Sequence, residues 1–359
     1  SMKVIQSTAT EIQIGDLLTS SFSKVISEYA KSNIIIIVDE NTHDCCLEFL
    51  LTSFPDLINA EIILLPGGEE NKVIEVCLQV WETFTEYNFS RKDLVINLGG
   101  GIITDMGGFI AALYKRGMNF INIPTSLLGM VDASIGGKNG VDLNGFKNHL
   151  GVFKNPSHIF IDVSFLKTLP EREIYNGYAE MLKHGLISDK NLWEDLIKIK
   201  SDDALLNEEM IFRTIRVKLD LVEADPEEAN VRMKLNFGHT IGHALESHFL
   251  SSTAIPHGHA VALGICAEAF LSFKKKKISS EEFHQIEEVI LRNFPMIQLT
   301  DEDVIDVIER MKNDKKNHSG AIYFVLLEGI GNAITNIKIK EKEVGEALFH
   351  LNLLGKALN

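Results

Sequence analysis

The first half of the chain alternates short apolar runs with longer stretches of helical periodicity. Short runs of Ile, Val, Leu and Phe that are bounded by glycine or polar residues predict buried strands. There are five such runs: Ile34–Val38, Ile62–Leu65, Leu94–Leu98, Phe120–Ile123 and Ile159–Asp162. Helical stretches such as Val73–Glu86 separate them. The alternation predicts an α/β fold with a mainly parallel sheet, whose ligands bind at the carboxyl ends of the strands.

After Pro170 the pattern changes to long stretches of helical periodicity. Six helices are predicted there: Arg172–Ile187, Ala204–Val222, His239–Phe249, Ala260–Phe273, Glu281–Leu291 and Val304–Met311. One strand pair follows them, Ala321–Leu327 with Ala333–Ile339. A chain of 359 residues is too long for one compact core. We therefore predict an α/β domain over residues 1–168 and a mainly α-helical domain over residues 169–359.

Composition and charge narrow the class of protein. The chain is 45% hydrophobic and 24% charged, which is typical of a folded protein. Its net charge of −15 disfavours nucleic acid as a partner, yet a local cluster of Lys and Arg can still hold a small anion. The four cysteines lack CxxC spacing, and Ser1-Met2-Lys3 opens no apolar signal segment. The apolar run Ala260–Leu271 is shorter than the roughly 20 residues of a membrane span. We expect a cytoplasmic protein without a membrane partner.

A glycine loop, Gly99–Gly101, ends the third predicted strand and leads into a helix that includes Asp105. Glycines let the backbone approach a phosphate, and a helix N-terminus supplies N–H groups and a positive dipole end. The strict GxGxxG fingerprint is absent because Thr104 occupies its third glycine position. The loop therefore indicates either a nucleotide site or a purely structural turn.

Two further strand ends carry polar residues. The loop Pro66–Lys72 could bring Lys72 to a phosphate, or it could be a solvated turn. Asp39 ends the first predicted strand, where a carboxylate can bind a ribose hydroxyl or cap the following helix.

Two histidines, His239 and His243, are spaced i,i+4 and therefore share one helix face. Gly238 and Gly242 lie beside them, although a glycine costs a helix roughly 1 kcal/mol relative to alanine. That cost indicates the close approach of another group. Thr240 replaces the glutamate of HExxH, so the metalloprotease pattern is absent.

Other possible metal ligands lie around this pair: Glu180, His248, His257 and His259. Three N or O ligands with one open position form a catalytic metal site. A structural role for the histidine pair is the alternative, and spacing alone does not select the ligands.

Polar residues surround the glycine-rich segment 131–140, and others follow in the second half. The first group comprises Asp132, Lys138, Lys147 and Asn148, and the second comprises Lys218, Arg232 and Asn236. A charge among apolar and glycine residues is costly unless it meets an opposite charge, which a substrate phosphate or carboxylate would supply. For each lysine taken singly, a solvated side chain is the alternative.

Five ordered segments resemble the 3-dehydroquinate synthase family, within the sugar phosphate cyclase superfamily, over nearly the whole chain. They are Gly99–Phe109 (GGGxxxDxxGF), Pro124–Lys138 (PTTLLAxVDxSxGGK), Ala179–Gly185 (AExIKHG), Leu235–Glu246 (LNFGHTxGHAxE) and Asn313–Lys316 (DKK). Two residues depart from the family pattern: Phe146 replaces a usual glycine, and His259 stands where glutamate is common.

The resemblance implies ligands for a metal and for NAD. Glu180, His239 and His257 would hold a divalent metal, zinc or cobalt. The NAD residues would be Asp39, Gly68, Glu69, Lys72, Gly100, Gly101, Ile102, Ile103, Thr104, Asp105, Thr125, Ser126, Lys138, Lys147, Phe165, Lys167 and Thr168.

The resemblance also implies a substrate pocket. Its residues would be Asp132, Lys138, Asn148, Lys183, Lys218, Arg232, Asn236 and His243. Arg116 would reach the phosphate from the neighbouring subunit of a homodimer, and either Lys315 or Lys316 would join the pocket.

The implied activity is a carbon–oxygen lyase reaction of the shikimate pathway. It converts 3-deoxy-D-arabino-heptulosonate 7-phosphate to 3-dehydroquinate and phosphate through transient oxidation by NAD, phosphate elimination, reduction and aldol closure. Another sugar phosphate cyclase, a metal-dependent polyol dehydrogenase and a non-enzymatic binding module are the alternatives.

Overall fold

The computed structural model describes residues 2–200, 207–315 and 321–358. The chain forms two compact units. The first comprises Ser1–Gly177 with Asp202–Leu219, and the second comprises Tyr178–Ser201 with Asp220–Asn359. The predicted domain division between residues 168 and 169 stays a prediction.

The first unit is built on a seven-stranded sheet with the order β1-β2-β9-β6-β5-β3-β4. Its strands are β1 (Lys3–Gln6), β2 (Glu11–Ile14), β3 (Ile34–Asp39), β4 (Glu61–Leu65), β5 (Leu94–Gly99), β6 (Asn119–Pro124) and β9 (His158–Ile161). Only the β1–β2 pairing is antiparallel, and the other pairings in this sheet are parallel. The predicted mainly parallel sheet is confirmed, and β3, β4, β5, β6 and β9 are the five predicted strands. Strands β1 and β2 were not predicted.

Helices and a separate hairpin complete the first unit. The α-helices are Phe22–Ser27, Glu40–Thr42, Glu48–Ser53, Ile74–Glu86 and Gly101–Leu113, and the hairpin is β7 (Lys138–Leu143) with β8 (Phe146–Phe153). The helix Gly101–Leu113 contacts both the sheet and the hairpin. A Cβ on Gly107 would stand 1.8 Å from Asn97 Oδ1, and one on Gly108 would stand 2.0 Å from Asn139 Oδ1. The two glycines therefore let this helix approach both layers closely.

The core of the first unit lies between the sheet and this helix. Ile35, Ile37 and Val95 from the strands are fully buried, as are Met106 and Ile110 from the helix. Burial of each such side chain contributes roughly 1.5–3 kcal/mol. The packing fixes the N-terminus of the helix relative to the carboxyl edge of the sheet.

The second unit is mainly helical. Two helices contribute residues to both units, Glu171–Ser188 and Glu208–Ala224. The other helices are Lys190–Leu196, His239–Phe249, His257–Lys274, Ser280–Asn293, Asp301–Lys315 and Glu341–Ala357, and the strand pair is β10 (Ala321–Leu327) with β11 (Ala333–Lys340). Each of the six predicted helices has a counterpart, which confirms the fold class, although the predicted start at Ala204 lies outside the described residues. The helices Lys190–Leu196 and Glu341–Ala357 were not predicted.

The helix His257–Lys274 is apolar because other helices surround it. It contacts His239–Phe249, Ser280–Asn293 and Glu341–Ala357. Thirteen of its residues are buried, including the fully buried Glu268. Within the described part of the chain, no helix combines the length and apolarity that crossing a membrane requires.

Candidate active site

The residues that the resemblance assigns to NAD follow the carboxyl ends of five neighbouring parallel strands. Asp39 ends β3; Gly68, Glu69 and Lys72 follow β4; Gly100, Gly101, Ile102, Ile103, Thr104 and Asp105 follow β5; Thr125 and Ser126 follow β6; Phe165, Lys167 and Thr168 follow β9. The carboxyl ends of parallel strands share one edge of a sheet. The fold therefore brings these residues to the same edge, although they span 130 positions of the sequence.

The sheet changes its winding direction between β3 and β5. The chain runs outward from β3 to β4, returns past β3 to β5, and continues to β6 and β9. In open α/β sheets the crevice at such a switch point is the usual ligand site. Asp39 at the end of β3 and Gly100 after β5 stand on its two sides.

The glycine loop has the geometry of an anion site. Gly100 precedes the helix Gly101–Leu113 with extended backbone and no side-chain cap among the described residues. The first intrahelical bond runs from the Thr104 N–H to the Gly100 carbonyl, so the amides before Thr104 precede the helical ladder. A Cβ on Gly100 would lie 3.2 Å from Ser126 Oγ, and one on Gly101 would lie 3.1 Å from Ala133 Cβ. The cradle suits the pyrophosphate of a dinucleotide.

Lys72 joins this loop to the hairpin. Its Nζ lies 2.9 Å from Asp105 Oδ2 and donates to Asn148 Oδ1 at 2.7 Å. Burial alone would lower the pKa of the Lys72 ammonium, but the Asp105 and Glu69 carboxylates outweigh it and raise that pKa. Lys147 Nζ lies 3.2 Å from Glu69 Oε1. Four of the predicted NAD residues therefore belong to one charged network with Asn148: Glu69, Lys72, Asp105 and Lys147.

Asp142 belongs to the same network and was missed by the sequence reasoning. Its Oδ1 accepts a 2.8 Å bond from the backbone N–H of Asn148, which has left-handed backbone at φ 55°. Its own N–H donates to the Lys72 carbonyl at 2.8 Å. Burial, a hydrogen bond with Glu69 and the Glu69 charge raise the pKa of Asp142 to about 7. A carboxylic acid pair therefore lies beside the predicted cofactor residues.

Asp39 caps the helix that follows it. Its Oδ1 accepts from the Thr42 N–H at 2.9 Å and from Thr42 Oγ1 at 3.0 Å. The capping interpretation of the sequence therefore describes this structure, and the ribose contact stays a prediction.

The polar residues of the glycine-rich segment lie on different elements, and the predicted anion cluster stays a prediction. Asp132 Oδ1 lies 2.7 Å from Lys218 Nζ, which also donates to the Asp132 carbonyl. Lys138 opens β7 opposite Phe153, whereas Asn148 lies beside the hairpin turn. About five residues of extended strand separate Lys138 from that turn, or roughly 16 Å. The backbone positions of Lys138 and Asn148 thus lie near opposite ends of the hairpin.

Arg116 lies on a turn with unusual backbone. Lys115, Arg116 and Gly117 have φ values of 47°, 69° and 117°, and Arg116 is exposed. Left-handed backbone costs a non-glycine residue on the order of 1–3 kcal/mol and is common at functional sites. The turn directs Arg116 away from the core of its own unit.

The second unit gathers the predicted metal ligands. Glu180 Oε1 lies 2.9 Å from His239 Nε2 and 3.1 Å from His257 Nε2. The His243 ring centroid lies 4.9 Å from that of His239 and 5.8 Å from that of His257. One nitrogen from each of these three histidines lies within 4.8 Å of the others. The structure therefore leaves the sets Glu180–His239–His257 and His239–His243–His257 both available.

The hydrogen-bond partners of this cluster fit a divalent cation. His239 has the Phe237 carbonyl 3.0 Å from Nδ1, and His257 has Glu246 Oε1 3.0 Å from Nδ1. With Glu180 at both Nε2 atoms, all four ring nitrogens face oxygens that only accept. A neutral imidazole has one donor and one acceptor nitrogen. A dication bound by both Nε2 atoms and Glu180 would leave each Nδ1–H to donate to its own oxygen, the Phe237 carbonyl or Glu246 Oε1. Histidines that bind metals usually donate their other N–H in this way.

The Glu180 carboxyl is fully buried beside Lys183, whose Nζ lies 2.6 Å from Oε2. Burial alone would raise the pKa of Glu180, but the Lys183 ammonium and the two histidines outweigh it. They hold that pKa well below its usual range. Glu180 is therefore an anion that can bind a cation.

The structure brings Arg232 and Asn236 to the same carboxylate. Arg232 is buried with Nε 3.9 Å from Glu228 Oε2, and Asn236 Nδ2 donates to Glu228 Oε1 at 3.3 Å. Asp225, which the sequence reasoning missed, accepts from the N–H groups of Ala229, Asn230 and Arg232. Burial alone would raise the pKa of Asp225, but these backbone donors lower it.

Two other candidate histidines lie outside the group formed by Glu180, His239, His243 and His257. The His248 ring contacts Asp303 at 2.7 Å and Asp306, which links its helix to Asp301–Lys315. His259 packs edge-on against Phe294, at 5.8 Å between ring centroids.

Three candidate residues remain: Phe146, which departs from the family pattern, and the lysines Lys315 and Lys316. Phe146 stacks on His149 at 4.8 Å in the hairpin. Lys315 ends its helix, and its side chain and all of Lys316 lie outside the described residues.

Two buried carboxylates near the candidate metal ligands, Glu246 and Glu268, were not assigned a role from the sequence. Glu246 lies seven residues after His239, a spacing that returns to the same helix face. Glu268 interrupts the apolar run Ala260–Leu271, where a lone acidic residue signals a buried partner.

Solved structures with the same fold include sugar phosphate cyclases and dehydrogenases, one of them an iron-containing alcohol dehydrogenase. A 2-deoxy-scyllo-inosose synthase complexed with carbaglucose-6-phosphate, NAD+ and Co2+ superposes with a TM-score of 0.82 at 22% identity, covering 98% of this chain and 99% of that one. The 2-epi-5-epi-valiolone synthase of Streptomyces hygroscopicus subsp. jinggangensis, with NAD+ and Zn2+ bound, gives 0.81 at 24% identity, covering 97% and 98%. This chain therefore shares their fold, with a mainly parallel sheet followed by a mainly helical part.

Sequence comparison identifies the family. The profiles for the 3-dehydroquinate synthase N-terminal and C-terminal regions match residues 62–176 and 177–317. The chain is 40% identical to the 3-dehydroquinate synthase of Parabacteroides distasonis over 335 residues, covering 92% of this chain and 94% of that protein. It is 37% identical to that of Pyrococcus abyssi, covering 94% and 97%. The chain belongs to the 3-dehydroquinate synthase family.

Proposed function

We propose that this chain converts 3-deoxy-D-arabino-heptulosonate 7-phosphate to 3-dehydroquinate and phosphate, as an NAD- and divalent-metal-dependent carbon–oxygen lyase. The supporting observation is the acceptor-only environment of His239 and His257 around Glu180 Oε1, in a chain of which 92% aligns with a 3-dehydroquinate synthase. Residues 1–168 would form the NAD domain, and residues 169–359 would form the metal and substrate domain.

The two cofactors would be held by separate sets of residues. The glycine loop, Lys72 and Asp105 would bind NAD, and Glu180, His239 and His257 would bind zinc or cobalt. When bound, NAD supplies reversible hydride transfer, and the metal supplies Lewis-acid polarisation of an oxygen. Because the proposed reaction pairs an oxidation with a later reduction, NAD would be regenerated and no net NADH is expected.

The chain's own basic side chains would stabilise the anionic groups of the substrate. Phosphate elimination places negative charge on the leaving group, and fixed cations stabilise it without reorganisation. Lys183 and Lys218 are held by carboxylates at 2.6 and 2.7 Å, so each ammonium is already oriented. Arg232 is buried, which suits a bidentate contact to the substrate carboxylate. These contacts would hold phosphate and carboxylate in one geometry while the ring closes.

Arg116 and the homodimer belong to this proposal. The left-handed turn at Lys115 and Arg116 presents an exposed guanidinium at the surface of the first unit. A group on such a turn suits a phosphate in the neighbouring subunit. We also place the protein in the cytoplasm, where the pathway substrate would be available.

A phosphate-release assay tests the proposed activity. The purified protein would be incubated with the heptulosonate phosphate, NAD and zinc or cobalt, and NADH absorbance would be followed in parallel. Phosphate and dehydroquinate should appear in equal amounts without net NADH. A chelated, verified metal-free sample is the control and should be inactive. Failure to release phosphate, or steady NADH formation from a simple polyol, would contradict the proposal and favour another cyclase or a dehydrogenase.

A further inference from the structure

A buried carboxylate of one helix caps the N-terminus of another. Glu268, in the helix His257–Lys274, is fully buried. Its Oε1 accepts from the Gly238 N–H at 2.9 Å, and its Oε2 accepts from the Ile241 N–H at 3.1 Å. Gly238 is the residue before the helix His239–Phe249 and has no side chain to serve as a cap, and Ile241 lies in the first turn of that helix. Glu268 thus supplies from a neighbouring helix what a cap residue normally supplies locally.

The same two helices touch through their backbones. A Cβ on Gly264 would stand 1.9 Å from the Gly238 carbonyl oxygen, and one on Gly242 would stand 2.9 Å from the Ala260 carbonyl oxygen. Gly238 itself is left-handed at φ 80°. The close approach that the sequence indicated for Gly238 and Gly242 is therefore this helix crossing. Because the contact is made by backbone atoms, no flexible side chain can absorb a displacement.

The crossing controls the geometry of two proposed metal ligands. His239 is the first residue of one helix, and His257 is the first residue of the other. Their Nε2 atoms converge on Glu180 Oε1 only if both helix starts hold their positions. Gly238 lies next to His239 in sequence, so its bond to Glu268 acts directly on the backbone that carries the histidine.

We infer that Glu268 is a positioning residue for the metal site, because it fixes the backbone of His239 relative to His257. The inference rests on the metal site of the proposed function. A carboxylate at the positive end of a helix is also electrostatically favourable, and it offsets the charge of a nearby dication. Removal of either acceptor oxygen would leave a buried N–H without its partner and loosen the first turn.

The test is a zinc titration of metal-free protein in competition with a chromogenic chelator. The variant Glu268→Gln keeps the size of the side chain but places an NH2 group against one N–H donor. It should weaken zinc binding by about ten- to a hundredfold, the usual effect of disturbing residues that orient metal ligands. When cobalt is bound in place of zinc, the visible absorption bands of Glu268→Gln should differ from those of the wild type, because these bands report ligand geometry. Glu268→Asp retains the charge but is one methylene shorter, and it should give an intermediate loss.

Ser279→Ala is the matched control, because it removes the side-chain cap of the helix Ser280–Asn293, which carries none of the proposed ligands. It should leave zinc affinity and cobalt absorption unchanged while lowering thermal stability. Wild-type zinc affinity in Glu268→Gln would overturn the inference and leave the metal site standing. Absence of zinc binding by the wild-type protein would overturn both. If Glu268→Gln does not fold, Glu268→Asp decides by the same titration, and wild-type affinity there overturns the inference.

Discussion

Glu246 Oε1 lies 3.0 Å from Nδ1 of His257, although the two residues belong to different helices. A hydrogen on Nδ1 would pair with Glu246 and leave Nε2, which faces Glu180, available to a cation. Glu246 is buried, so the ring is held in one orientation.

Replacement of Glu246 by alanine should release this ring. We expect metal affinity to fall by about ten- to a hundredfold, because the tautomer and orientation of His257 are no longer fixed. Isothermal titration of the metal-free variant with zinc measures the change. Glu287→Ala is a suitable control, since Glu287 contacts His350 rather than a proposed ligand. Equal zinc affinities of the Glu246 variant and the wild type would contradict this role.

Lys72→Met should weaken both NAD binding and folding. The substitution leaves the Asp105 carboxylate partly buried beside an apolar chain. Loss of one partner of a buried pair costs about 3–5 kcal/mol. Denaturant unfolding measures the stability, and fluorescence titration with NAD measures binding. Lys312→Met, which removes a partly exposed lysine beside Glu309 and Glu341, should change neither quantity measurably. Retention of wild-type stability by Lys72→Met would show that the network does not need its cation.

The Asp142–Glu69 pair should make stability depend on pH. The pKa of Asp142 is about 7 in the folded protein, against an ordinary value of about 4. Between those values the native state binds more protons than the unfolded chain, so stability falls as pH rises and levels off above about 7. Asp142→Asn imitates the protonated acid and should remove this contribution. Thermal unfolding from about pH 4 to 8 measures it.

The Asp142 experiment needs a reference because other groups titrate in this window. Glu69, Lys72 and Lys147 face Asp142 or its partner. The difference between the wild-type and Asp142→Asn curves of thermal stability against pH isolates the contribution of the Asp142 carboxyl. Parallel curves for the two proteins would contradict the raised pKa.

Mixed dimers test whether Arg116 acts between subunits. Arg116→Ala and Lys138→Ala should each fold and each be inactive alone. If Arg116 serves the partner's site, a mixed dimer contains one site with both residues intact, so co-expression should restore activity. Mixing each variant with itself is the control. Activity that stays at the level of the single variants would place Arg116 in its own subunit's site or outside the mechanism.

The sequence predicted the elements of both halves because their patterns are local. Five strands and six helices follow from runs of apolar residues and from helical spacing. Strands β1 and β2 were missed because each has only four residues. The hairpin β7–β8 was missed because glycines and charged residues obscure its alternation. The helix Glu341–Ala357 was not predicted, although its buried residues Val344, Ala347, Leu348 and Leu351 have helical spacing.

The sequence by itself determined which chemical groups the chain can offer. A glycine loop before a helix, histidines at i,i+4 and lysines among glycines are readable because they depend on neighbours along the chain. Tertiary structure alone decided which of these groups meet. Glu180 reaches His239 across 59 positions, and Glu268 caps a helix start 30 positions away. Distance, burial and charge between such partners depend on how helices cross and strands order, and local sequence patterns do not encode those contacts.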